Sequence, residues 1–173
     1  MARIRRGVPS AELLAAPENP EMSIAGRYSI RHATARSDLY LFPDSTYIFT
    51  RSEDGHPVEI IYDKGKWRFD AGQVVLSSDD SLSRKYAVLS WKQLPLTAQF
   101  KGARELFLLD HETFKRFRES IGEHGIPPNK QSDMLLHLYF RRRTEALAAP
   151  NAETTKKRLM GKAWHPEFFR GAR

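Results

Sequence analysis

From residue 26 to residue 78 the chain alternates apolar and polar residues in short runs, and turn signals punctuate the runs at short intervals. Gly26-Arg27-Tyr28 opens the pattern. Leu39-Tyr40-Leu41-Phe42, Thr46-Tyr47-Ile48-Phe49, Gly65-Lys66-Trp67-Arg68-Phe69 and Gln73-Val74-Val75-Leu76 continue it. Pro43-Asp44, Asp54-Gly55 and Ala71-Gly72 punctuate it. A period of two sends alternate side chains to opposite faces of a strand. Strands this short, joined by turns this tight, pair with their sequence neighbours as antiparallel hairpins. The expected fold class is therefore mainly β: a β-barrel or strongly curled antiparallel meander, with one short α-helix packed on it.

Nine strands are expected. The first puts Ile24, Gly26, Tyr28 and Ile30 on one face and Arg27, Ser29 and Arg31 on the other. The second covers about residues 38–42. Pro43-Asp44-Ser45 then turns the chain into the third, at 46–51, with Pro presetting φ and Asp accepting bonds from nearby backbone amides. The fourth is 58–63. Lys64-Gly65 reads as the opening of a fifth, on which Trp67 and Phe69 face one way. The sixth is 73–76, and the seventh is 86–94, with Ala87, Leu89 and Trp91 sharing a face. The eighth, 104–109, is apolar on both faces, the pattern of a strand covered on both sides. Asp110 is the predicted N-cap of a helix near 111–121, where Phe114, Phe117 and Ile121 recur at helical spacing. The ninth strand is 134–142. An irregular leader, 1–22, precedes this single domain at 23–143. A basic extension, 144–173, follows it, with a short helix at 153–160.

The net charge of +7 is concentrated at one end. Residues 141–173 hold nine Lys or Arg and three acidic residues, a balance of +6; the other 140 residues hold 19 basic and 18 acidic, a balance of +1. A basic segment on a near-neutral domain either attracts phosphates and acidic surfaces or serves as a solvated face. Cysteine is absent, which excludes disulfides, thiolate metal sites and cysteine nucleophiles. No apolar run approaches the ~20 residues that span a bilayer, and the stretch 11–16 is short and interrupted by Glu12. No secretory signal is read in it, and a cytoplasmic protein is expected.

Gly26-Arg27-Tyr28, the Leu-x-Leu-x-Pro-Asp-x-Thr-Tyr stretch from Leu39 to Tyr47, and Gly65-Lys66-Trp67 followed by Val75-Leu76 carry a resemblance. Together they resemble small bacterial lipocalin-like (calycin-type) barrels, many of them uncharacterised. The later half is similar too, through Trp91, the strand from Leu106 to Leu109, the helix from His111 and Tyr139-Phe140-Arg141-Arg142. The resemblance covers roughly residues 24–143 and implies a lipocalin-like barrel. Lipocalins proper carry Gly-x-Trp on the first strand; here Tyr28 stands there, and Gly-x-Trp falls at Gly65.

No catalytic constellation is present, and no enzyme activity, metal or cofactor is expected. His111-Glu112 lacks the second histidine of a zinc helix, since Lys115 stands at that spacing. There is no Gly-rich phosphate loop and no Gly-x-Ser-x-Gly elbow. Two readings remain open. In the first, a non-enzymatic barrel holds a small apolar ligand against Tyr28, Tyr47, Trp67, Phe69 and Trp91, residues that equally suit a packed barrel interior. In the second, a protein partner, a second copy of the chain or a nucleic acid docks on the basic segment. Arg141, Arg142, Arg143, Lys156, Lys157 and Arg158 are its candidate contacts, with at least one arginine of the triplet closing the barrel end over aromatics such as Tyr28 or Trp67.

Overall fold

The computed structural model describes residues 24–79, 83–90, 106–113, 115, 119, 139–145 and 149–161. Eight antiparallel strands follow one another around a closed barrel: β1 (Gly26–Arg31), β2 (Ala35–Leu41), β3 (Thr46–Glu53), β4 (His56–Asp70), β5 (Gln73–Ser78), β6 (Ser83–Ser90), β7 (Leu106–Asp110) and β8 (Phe140–Glu145). β8 closes on β1, with Ser29 opposite Arg141 and Tyr28 opposite Arg142. Closure leaves no unpaired sheet edge, the solution expected for an up-and-down sheet of this length. A helix, α1 (Ala149–Met160), contains the predicted 153–160 segment and lies on the outer wall. No helix among the described residues is long and apolar enough to cross a membrane, which says nothing of strands.

Local chemistry explains the turns. Asp44 accepts from the backbone N–H and the hydroxyl of Thr46, at 3.0 and 2.6 Å, and locks the β2–β3 hairpin. Ala71 and Gly72 both adopt positive φ, 48° and 79°, as the two-residue hairpin between β4 and β5 demands. Asp110 caps as predicted, accepting from the Thr113 N–H at 3.0 Å. The described residues of the 111–121 helix, namely 111–113, 115 and 119, are helical.

Several boundaries differ from the sequence expectation, and two of the differences have a clear cause. The expected fourth and fifth strands are one 15-residue strand, β4, so eight strands stand where nine were counted. Gly65 is not a turn. It pairs with Tyr47 on one side and Ser78 on the other, and a Cβ there would lie 2.1 Å from the Ser77 carbonyl oxygen. Glycine marks a close backbone approach inside the strand rather than its end. β8 also runs past the expected strand end at 142 to Glu145, because its pairing with β1 continues through Thr144 and Glu145.

Alternation sorts the side chains as predicted. Tyr28, Ile30, Leu39, Leu41, Tyr47, Trp67, Val74, Leu76, Tyr86, Leu108 and Phe140 form the buried interior. Tyr40, Phe42, Ile48 and Ile61 point outward and are buried with Ala152 and Leu159 of α1. β7 is buried on both faces, through Leu108 inside and Phe107 and Leu109 outside.

Candidate functional site

The predicted apolar-ligand residues are structural in their contacts. Tyr28 donates its hydroxyl to the Ile24 carbonyl at 2.6 Å, and Trp67 donates its indole N–H to the Phe42 carbonyl at 2.8 Å. Tyr47 donates to Asp63 at 2.7 Å; the same buried carboxylate also accepts from the Ser78 hydroxyl at 2.6 Å and the Lys64 backbone N–H. Phe69 packs partly buried against the same cluster. The polar ends of Tyr28, Tyr47 and Trp67 thus each have a protein partner. Burial and the Asp63 bond push the Tyr47 phenol above its ordinary range. Trp91 lies outside the described residues.

The basic candidates separate into three environments. Alternation turns Arg142 inward, where it is buried beside Tyr28. Burial raises the Tyr28 phenol well above its usual range, and Arg142 opposes that shift. One member of the triplet thus lies against an interior aromatic. Lys156, Lys157 and Arg158 of α1 are each matched to a carboxylate. Lys156 pairs with Asp44, bonds Thr46 Oγ1 at 2.6 Å and lies 4.7 Å from the centre of the Phe42 ring. Lys157 pairs with Glu153 one turn back at 3.0 Å. Arg158 bonds the buried Glu59 at 2.9 Å, and Tyr40 donates to the other oxygen of that carboxylate at 2.8 Å. Burial pushes the Tyr40 phenol up to about 12.

Arg141 and Arg143 take the third environment. They face outward on β8, beside the outward residues of β1 and β2. There Arg27, Ser29, Ile30, Arg31, Arg36 and Arg143 line an open depression of about 330 Å³. Asp38, which bonds to three of these residues, is only 1% exposed. Arg27 reaches Asp38 through Nε and Nη2, both at 3.3 Å; Arg36 donates through Nε at 2.9 Å; the Ser29 hydroxyl donates as well. The Arg27 guanidinium also lies over the Tyr40 ring, 5.7 Å from its centre. A carboxylate that grips two guanidiniums by their inner edges holds them still and leaves outer N–H groups directed elsewhere. Arg31 pairs with Asp54 at 3.4 Å. Arg143 makes no ion pair or hydrogen bond among the described residues. Burial, and then repulsion from Arg141 and Arg27, pull its guanidinium below the ordinary value despite Asp38. Like charges held this close raise the positive potential of this face.

Sequence reasoning named Arg141 and Arg143 but missed Arg27, Arg31, Arg36 and Asp38. The available signal was parity. Arg27 and Arg31 were already on the outward face of the first strand, and barrel closure brings the last strand alongside the first.

No family model, no curated protein and no solved structure matches this chain.

Proposed function

We propose that this protein is a non-enzymatic binding domain that takes an anionic ligand on the outer face of β8, β1 and β2. The observation that carries the reading is the Arg143 guanidinium, unmatched among the described residues, beside a depression in which Asp38 fixes Arg27 and Arg36. Arginine forks suit carboxylate and phosphate oxygens, and pre-fixed side chains lose less entropy on binding. The closed barrel serves as a rigid frame, and the resemblance to lipocalin-like proteins bears on architecture alone. An apolar ligand inside the barrel has less support, since Tyr28, Tyr47 and Trp67 spend their polar groups within the protein. The cytoplasmic location expected from the sequence is kept.

The test is anisotropy of a fluorescein-labelled single-stranded oligonucleotide, used as a generic polyanion. Arg36→Ser/Arg143→Ser is compared with Lys85→Ser/Lys157→Ser, which removes the same charge elsewhere. Loss of one charge-assisted bond costs ~1.5–3 kcal/mol, so the arginine variant should bind at least about tenfold more weakly than the lysine variant. Equal weakening in both would reduce the effect to net charge and overturn the reading.

A further inference from the structure

The depression has a countable charge. Four guanidiniums line it (Arg27, Arg31, Arg36 and Arg143), and two carboxylates, Asp38 and Asp54, bond to them. Among the described residues this leaves two positive charges unmatched. Its volume, about 330 Å³, is at the small end of ligand sites. The width is that of three neighbouring strands, roughly 10 Å between the outer two. Arg36 spends only Nε on Asp38, so both of its terminal nitrogens remain for a ligand, and Arg27 keeps Nη1. With Arg143, arginines from three strands line this one depression. An extended chain of singly charged phosphodiesters would reach past this cluster, whereas a compact dianion with several acceptor oxygens would use it fully.

Resting on the anion-binding reading above, we infer that the ligand is a small molecule that presents a terminal phosphomonoester to Arg27, Arg36 and Arg143. Such a group carries about −1.5 to −2 at pH 7, with a second pKa near 6, and three strong acceptor oxygens. Asp38 is a positioning residue: it touches no ligand and sets the direction of two of the forks.

Phenyl phosphate and phenyl sulfate test the inference by calorimetry on the full chain. The two are close in shape, but the sulfate keeps a single charge across the pH range used. Phenyl phosphate should bind at one site, about tenfold or more tighter than phenyl sulfate at pH 7.5, through its extra charge-assisted bonding. That preference should shrink as pH falls through about 6 and the phosphate becomes a monoanion. Arg143→Ser should remove most of the preference without lowering the melting temperature, a result that a structural role for Arg143 would not give. Equal affinity for the two esters, or a preference independent of pH, would overturn the phosphomonoester assignment. If the oligonucleotide still depends on Arg36 and Arg143 in that case, the broader anion-binding reading survives and nucleic acid becomes its ligand. If no anion depends on these arginines, both fall.

Discussion

Two faces of one barrel wall meet along β2, and both are rich in positive charge. Under α1, Lys156, Lys157 and Arg158 are matched with Asp44, Glu153 and Glu59, and Ala152 and Leu159 seal Tyr40, Phe42, Ile48 and Ile61 from water. On the β8–β1–β2 face a deeply buried acid, Asp38, is shared by two arginines, and Arg143 has no carboxylate partner among the described residues. The difference lies in how the charges are paired rather than in how basic the sequence is. Paired and sealed, the first face holds the helix down. Crowded and open, the second holds its charges ready. A basic run read from sequence marks neither role until its carboxylate partners are known.

The barrel interior sets the upper scale against which the two faces are measured. Trp67→Ala removes a ring that is 2% exposed and its bond to Phe42, and should cost ~3–5 kcal/mol in chemical denaturation. Wild-type stability in this variant would remove the packed interior from the account. Leu159→Ala comes next. The side chain is fully buried between α1 and the wall, so a loss of ~2–4 kcal/mol is expected. A loss below ~0.5 kcal/mol, the range of ordinary surface changes, would mean that α1 is not the seal described here.

Acid should loosen the α1 face by a smaller amount. Burial would raise the Asp44 pKa, but hydrogen bonds from Lys156 and Thr46 outweigh it and hold the carboxyl below its ordinary 3.8. The folded state therefore binds this proton less readily than the unfolded one. The stability gained is present above the ordinary carboxylate pKa and is lost as pH falls through the folded value. Proteolytic release of α1 should rise on acidification, and Asp44→Asn should flatten that rise. An unchanged pH profile in Asp44→Asn would place the acid sensitivity on another group. The smallest stability effect belongs to the other face: Arg143→Ser should change stability by less than ~0.5 kcal/mol, because that exposed side chain makes no hydrogen bond or ion pair among the described residues. A clear loss there would erase the contrast between the faces.

Most of the barrel was legible because each hairpin announces itself locally. Pro43-Asp44, Asp54-Gly55 and Ala71-Gly72 lie where the chain turns, and parity sorted Tyr28, Trp67, Val74 and Leu76 inward. Gly65 was misread because a glycine beside a lysine looks the same whether the chain turns or a neighbouring backbone comes close. Only the position of Ser77 distinguishes the two cases. The arginine face was half legible. Alternation separates Arg141 and Arg143 from Arg142, but Arg27, Arg36 and Asp38 join them only through the pairing of β1 with β8 and β2, and β1 and β8 are more than a hundred residues apart in the chain. A buried acid beneath arginines has no local signature, since Ser37-Asp38 reads as an ordinary strand start.

The central claim, that the open face and not the sealed one meets the anion, is tested most directly by the arginine side-chain Nε–H resonances of the full chain during a phosphate titration. Saturable shifts are expected at Arg27, Arg36 and Arg143, with Arg158 and the Trp67 indole N–H unmoved. Shifts centred on Arg158 or on the Trp67 indole, with Arg27, Arg36 and Arg143 silent, would contradict it.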